Sequence, residues 1–275
     1  MQTEAPPRPA SPPSRGPAYP ASLKRATRLF ERNMTVYRKG WMVIFSGFFE
    51  PIFFLLGVGY GVGSMVGQVD TGGRTIPFAA FVAPGMLAAS CMNGAITDGF
   101  FNVFFKLNFQ GTYDGILATP MGVRDVALGE MLWAQFRGVL YAAGFLVVMA
   151  VLDLTQSWWA LAALPAAFLV SLAFAAMAIA ITSFASKIQH LDTVMGFIVM
   201  PLFLLSGTFF PISVYPVPLQ IVVQLTPLYH GAQLLRGLTT GTIGPELALH
   251  IAYLVAMTLA GLFVAARHLE KRILK

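Results

Sequence analysis

The sequence predicts an all-α membrane protein: six transmembrane helices, an amphipathic interfacial helix ahead of them, and a re-entrant segment between spans five and six. Three observations predict it. Hydrophobic residues make up 56% of the 275 positions and charged residues 11%, with a mean hydropathy of +0.69, whereas soluble domains carry roughly 25% charged residues. Apolar runs long enough to cross a bilayer recur near 41–65, 77–105, 130–152, 158–184, 192–210 and 247–267. The stretch 201–236 is apolar, yet Gly and Pro interrupt it too often for one straight helix.

Residues 1–21 are rich in Pro, Ser and Arg and hold no hydrophobic periodicity. We expect a disordered cytoplasmic tail there, without the apolar core of a cleavable signal peptide. In 22–40 a helical pattern begins. Leu23, Ala26, Phe30, Met34, Tyr37 and Trp41 recur at spacings of three and four, while Lys24, Arg25, Arg28, Arg32 and Lys39 fill much of the remaining surface. Such a helix lies flat in the interface with its basic face on the headgroups; the alternative is a helix docked on protein. Residues 41–270 form the transmembrane domain, and 271–275 a basic cytoplasmic tail.

Charge sets the orientation. Of the eighteen Lys and Arg residues, fifteen fall in the termini and loops that this topology places on one side, two on the other, and Arg137 within the third span. The excess side is cytoplasmic, so both termini are inside. A net charge of +6 and a pI near 9.6 could suggest nucleic acid, but the positive residues crowd the two ends of the chain. They suit an anionic lipid leaflet, and we expect no nucleic-acid partner. The single cysteine, Cys91, excludes an intrachain disulfide.

Charges inside spans are rare and informative. Glu50 and Arg137 fall at matched depth from the inner ends of spans one and three, roughly 10–14 Å at 1.5 Å per residue. An ion pair stapling the two spans follows, with a substrate-contacting carboxylate as the alternative. Asp98 lies close enough to the inner boundary to be solvated, and Asp192 is placed to cap the fifth span. The alternating Gly57, Gly59, Gly61 and Gly63 sit in a membrane run with no βαβ context, which favours close helix contact over nucleotide binding. His190, His230, His250 and His268 show no metal spacing, and for His230 we expect a structural hydrogen bond. The chain contains no Gly-x-x-x-x-Gly-Lys-Ser/Thr loop to bind ATP, and no metal, catalytic or cofactor site can be argued.

Two segments remain. Lys106 to Met121, KLNFQGTYDGILATPM, faces the cytoplasm in this topology and reads as a short helix with an apolar stripe of Phe109, Tyr113, Ile116 and Leu117. Gln110 and Asp114 lie off the stripe, and Thr119-Pro120 ends the helix. The stripe must be buried, either under its own bundle or in a groove on a partner. On the outer side, PLFLLSGTFFPISVYPVPLQIVVQLTPLYHGAQLLR breaks at Ser206-Gly207. The seven apolar residues 219–225 are too few to span, so we expect them to dip in before a last helical piece.

These two motifs carry a resemblance. KLNFQGTYDGILATP resembles the loop of ABC-2 type export permeases, particularly nodulation-factor exporters and daunorubicin-resistance permeases. The outer segment, with Ser206-Gly207, Phe209-Phe210-Pro211, Pro227, His230 and Arg236, is similar to the same family's signature, and Glu50-Pro51 with LLGVGYGVG fits its first span. The likeness covers about residues 22–270. It implies a permease subunit in the bacterial inner membrane, without its own ATP site. Phe109, Gln110, Tyr113, Asp114, Leu117, Thr119 and Pro120 would couple it to a separate ABC ATPase subunit, present in two copies and binding the ATP and Mg. A second permease subunit would complete the complex, and the substrate would be amphipathic: a drug, lipid or glycolipid. The rival classes are an integral-membrane lipid-modifying enzyme, which needs clustered polar groups near one interface, and a secondary transporter, which favours inverted repeats and buried ionisable groups.

Overall fold

A computed structural model describes residues 23–37, 49, 52–70 and 75–273. The expected tail 1–21, the end of the amphipathic segment at 38–40, and Glu50 with its ion pair lie outside the described residues.

The described chain begins with α1 (Leu23–Tyr37). An apolar helix, α2 (Ile52–Val66), follows; it is shorter, among the described residues, than a bilayer requires. Then β1 (Gln68–Asp70) pairs antiparallel with β2 (Thr75–Pro77), Val69 opposite Ile76. This hairpin is absent from the all-α expectation because three-residue strands leave little periodicity to read. Its two central side chains are both buried.

Next come α3 (Phe78–Asn108), α4 (Thr112–Leu117), α5 (Val123–Val151), α6 (Trp158–Phe184) and α7 (Ile188–Leu205). After a 3-10 turn at Ile212–Val214 the chain forms α8 (Val217–Gln224), α9 (Pro227–Thr240) and α10 (Glu246–Ile273). Among the described residues five helices, α3, α5, α6, α7 and α10, are long and apolar enough to cross a membrane. Their bounds differ from the hydropathy reading in one way that matters later. The third span starts at Val123 rather than 130, because Gly122 and Asp125 form its N-terminal cap and polar first turn. Asp192 is not a cap: α7 begins at Ile188, with Asp192 inside its second turn. Lys271 and Arg272 belong to the last turn of α10.

The core is built around α3, which packs against α2, α5, α6 and α9 and is buried almost along its whole length. Small residues let three helices meet there. A Cβ on Gly94 of α3 would sit 2.8 Å from the Gly138 Cα of α5, and a Cβ on Gly138 would run into the Ser171 hydroxyl of α6. Without apolar transfer to drive association in lipid, such close backbone approach supplies the packing. Within α2, Gly59 and Gly63 face Ala79 and Phe78 of α3, so half of the glycine run serves helix contact. By contrast, α7 is the most exposed long helix, with Phe197, Ile198, Met200 and Leu204 outward.

The two ends of the bundle are segregated as an even alternation of spans requires. At one end, Asp70, Ser213 and Ile243 border a common cavity, and the Gln156 N–H donates to the Thr239 carbonyl. At the other, Arg272 donates to the Ala185 carbonyl (2.6 Å) and to Asn108 Oδ1 (2.9 Å), joining the ends of α3, α6 and α10. This second end also carries α1 and α4.

Candidate functional site

The charges missed by hydropathy collect at the end of the bundle that carries α1 and α4. Starting α5 at Val123 places Glu130 two turns inside the helix, where it meets Lys106 on the last turn of α3. Lys106 Nζ lies 2.9 and 2.8 Å from the two Glu130 oxygens, and both side chains are almost fully buried. Asn33 of α1 completes the knot. Its amide donates to Glu130 Oε2 (3.3 Å) and its carbonyl oxygen accepts from Lys106 (3.1 Å). A second pair ties α1 down: Arg25 Nε donates to Asp125 Oδ2 at 2.7 Å, and that oxygen also accepts from the Gly122 N–H. Five polar side chains from three elements, Arg25, Asn33, Lys106, Asp125 and Glu130, thereby satisfy one another, the condition for burying charge without a large penalty.

Deeper along the same two helices, Arg137 donates to Asp98 Oδ1 and to the Tyr141 hydroxyl, each at 2.9 Å. Asp98 has no exposed side-chain area, which overturns its reading as a solvated residue. It sits on a π-helical turn, Asp98–Asn102, and that wider turn aims its carboxylate at α5 rather than at the inner boundary. Glu50 is outside the described residues, and the described carboxylate partner of Arg137 is Asp98.

Residues 23–37 form a helix, α1, that docks on α5. Ala26, Leu29 and Asn33 are buried, and Phe30 packs on Trp133 (centroids 5.7 Å) and edge-on to Phe136 (5.3 Å). Its apolar stripe is therefore divided: Leu23 and Met34 remain exposed, and so do Lys24, Arg28 and Arg32.

The segment 106–121 is an elbow. α3 ends at Asn108, Gly111 turns the chain at φ +56, and α4 follows. Its apolar stripe also divides. Tyr113 is 3% exposed and fills a pocket between Leu29 of α1 and Val126 of α5, with Leu107, Ile116 and Leu117 around it. Burial first, and then the facing Glu130 carboxylate, push the Tyr113 hydroxyl well above the ordinary phenol range. Tyr113 therefore pins the elbow and offers no anchor to a groove outside, a correction forced by the proximity of α1. Phe109 is the reverse: 71% exposed, it extends an aromatic row with Phe104 and Phe105 (6.1 and 5.6 Å). Gln110 is exposed and accepts from the Thr112 hydroxyl; Thr119 bonds back to the Ile116 carbonyl, and Pro120 is exposed. The Asp114 side chain is not among those described.

The segment 201–236 breaks at Ser206-Gly207, where expected. Gly207 has φ +72, a conformation that side chains resist, and Ser206 bonds to Thr226 (3.1 Å) across the loop. Phe209 is buried against Phe203 (5.2 Å) and Phe54, whereas Phe210 is exposed and Pro211 begins the 3-10 turn. The inserted piece differs from the reading. α9, opened by Pro227, is buried among α3, α6 and α10, while the apolar α8 keeps Val217, Ile221 and Val222 outward. Arg236 fastens this arrangement. It donates to the carbonyls of Gly207 (2.8 Å) and Phe81 (3.3 Å), and its guanidinium lies 4.0 Å over the Phe81 ring. His230 makes the structural bond expected of it, Nδ1 to Nδ1 of His250 at 2.8 Å, and stacks on Tyr253. A cavity of about 1330 Å³ opens beside these residues.

The sequence reasoning missed Asn33, Lys106, Asp125 and Glu130. The available signal was the span start: beginning the third helix at the Gly122 cap would have placed Glu130 and Lys106 at one depth.

A family model described as ABC-2 type transporter matches residues 26–239. Nodulation protein J of Rhizobium leguminosarum bv. trifolii is 31% identical over 259 residues, covering 94% of this chain and 97% of that protein. Nodulation protein J of Rhizobium meliloti (strain 1021) is 30% identical, with 94% and 97% covered, and that of Sinorhizobium fredii 30%, with 93% and 96%. The elbow lies inside the matched region, as do α1 from Ala26 onward and α9 up to Thr239. This chain belongs to the ABC-2 type transporter family.

Proposed function

We propose that this chain is the membrane-spanning permease of an ATP-driven exporter, with six spans and both termini in the cytoplasm of a bacterial cell. A separate ATPase subunit, in two copies, holds ATP and Mg and pushes on the 106–121 elbow; two permease chains line the path between them. Spans one and five, α2 and α7, offer their exposed apolar faces to the second permease. α1 lies at the inner interface with Lys24, Arg28 and Arg32 towards anionic headgroups, and α8 rests in the outer leaflet beside the re-entrant α9. The substrate is amphipathic, a lipid, glycolipid or drug, in keeping with a chain that is rich in Phe and Met and has few charges.

The observation that carries this reading is Phe109, an exposed ring on an elbow whose other apolar residues are pinned. Aromatic side chains seated in a partner's pocket carry most interface energy. Phe109→Ala is expected to leave membrane insertion intact and to weaken ATPase association by about 2 kcal/mol, a hot-spot value. The measurement is a pull-down of an ABC ATPase subunit co-expressed with this chain, with Ser213→Ala at the opposite end as control. Equal recovery with wild type and Phe109→Ala would remove the elbow from the docking surface.

Orientation has its own check. In a Cys91→Ser background, single cysteines at Asp70, Ser157 and Ile243 should react with an impermeant maleimide in intact cells. A cysteine at Gly115 should react only after permeabilisation. Labelling of Gly115 from outside would reverse the topology.

A further inference from the structure

The two buried ion pairs form a ladder with a polarity that the family resemblance does not supply. Along α3 the order is acid then base, Asp98 and Lys106, eight residues or about 12 Å apart. Along the antiparallel α5 it is base then acid in the facing sense, Arg137 opposite Asp98 and Glu130 opposite Lys106, seven positions apart. A slip by one helical turn unpairs both rungs. A slip by the ladder spacing sets Asp98 against Glu130, or Lys106 against Arg137. Only one register satisfies all four charges, and buried ion pairs are better at specifying such a register than at stabilising a fold.

The inner rung is also where the elbow and α1 attach. Asn33 touches both Lys106 and Glu130, and Tyr113 of the elbow is buried beside Glu130. We propose that Asn33, Lys106 and Glu130 are positioning residues that make the elbow, α1 and spans two and three move as one body. A push on the elbow is then delivered to the membrane helices instead of being absorbed by local bending. The claim rests on the elbow being the ATPase-facing element. It goes beyond that reading by naming the residues that carry the displacement inward.

The test separates transmission from folding. In Lys106→Met with Glu130→Leu, apolar side chains of similar size replace the pair, and such exchanges are often neutral or stabilising. The exchange also removes the two bonds described for the buried Asn33 amide, so the variant should unfold near or somewhat below the wild-type midpoint while still folding in the membrane. The permease and its co-purifying ATPase are reconstituted in phosphatidylethanolamine–phosphatidylglycerol vesicles, with a fluorescent short-chain phospholipid as the exported probe. ATP turnover should stay within twofold of wild type, while probe moved per ATP falls at least tenfold. Probe per ATP within twofold of wild type overturns the proposal, as does a parallel loss of hydrolysis and export.

If the double variant fails to reach the membrane, Asn33→Ala takes its place. It leaves the ion pair intact, removes only the tie between α1 and that pair, and should lower probe per ATP at least threefold; no change overturns the proposal. A second readout needs no ATPase. Spin labels at Gly115, where a side chain meets open space, and at the exposed Leu140 should give a narrow distance distribution in the Cys91→Ser chain. The double variant should at least double its width, and an unchanged width overturns the link. Wild-type vesicles that move no probe would refute the exporter reading, and the distance measurement would still decide the ladder.

Discussion

Arg137→Gln is expected to destabilise the membrane fold by about 3–5 kcal/mol, the cost of breaking a buried pair and leaving one charge behind. The stranded group is Asp98, which has no exposed side-chain area and retains only a 3.1 Å bond from the Asn102 amide among the contacts described for it. Folded protein in membranes, followed by fluorescence size-exclusion and thermal unfolding in detergent, should fall steeply. Asp98→Asn combined with Arg137→Gln should lose less than the sum of the two single changes, because neither charge is then left alone. The same cycle run with Glu50→Gln asks whether Glu50 shares Arg137. Coupling in the Asp98 cycle alone assigns the guanidinium to Asp98; coupling in both makes it a shared ion. A loss below about 1 kcal/mol for Arg137→Gln, the range of solvent-exposed pairs, would show that this charge is not buried as described.

Gly138→Val should be as damaging for a different reason. A Cβ at Gly138 would stand 2.7 Å from the Cys91 carbonyl oxygen of α3 and would overlap the Ser171 hydroxyl of α6. One of those neighbours is backbone on the central helix and cannot rotate away. Overpacking typically costs about 1–3 kcal/mol where the surroundings can shift, and here the upper end or beyond is expected. Ser171→Gly should recover part of the loss in Gly138→Ala, since it clears the movable obstacle and leaves only the fixed one. Thermal unfolding of the purified permease reads this directly. A Gly138→Val protein that melts within a few degrees of wild type would mean that α3, α5 and α6 do not meet at this point.

Both effects bear on transport. The Gly138 crossing and the Asp98–Arg137 rung join the helix that receives the elbow's attachment to the two helices beside it. A loosened crossing would let the ends of α3 and α5 nearest the elbow move without the rest. Export should then fail in these variants even where some folded protein survives.

By itself the sequence determined the properties that depend on composition and spacing along one chain. Charge scarcity and long apolar runs required membrane helices, because an unpaired backbone cannot cross a bilayer. The break at Ser206-Gly207 and the prolines that follow ended α7 and opened α8 and α9 where expected, since the φ angle of Gly207 and the missing donors of Pro211 and Pro227 act locally. The periodicity of 23–37 required a helix with an apolar face. The tertiary structure decided which side of that face is covered. Leu29 and Asn33 are buried because α5 lies there, Leu23 is not, and Tyr113 faces inward because α1 roofs the elbow. It also chose the partners of the buried charges. Lys106 reads from sequence as the first residue of a loop and Asp98 as a boundary residue; both are interior because α3 continues to Asn108 and α5 begins at Val123. Hydropathy windows undervalue such positions, since a charge lowers the average whether it faces water or an opposite charge on the next helix. Pairing between residues 39 or 97 positions apart is a property of the packed bundle.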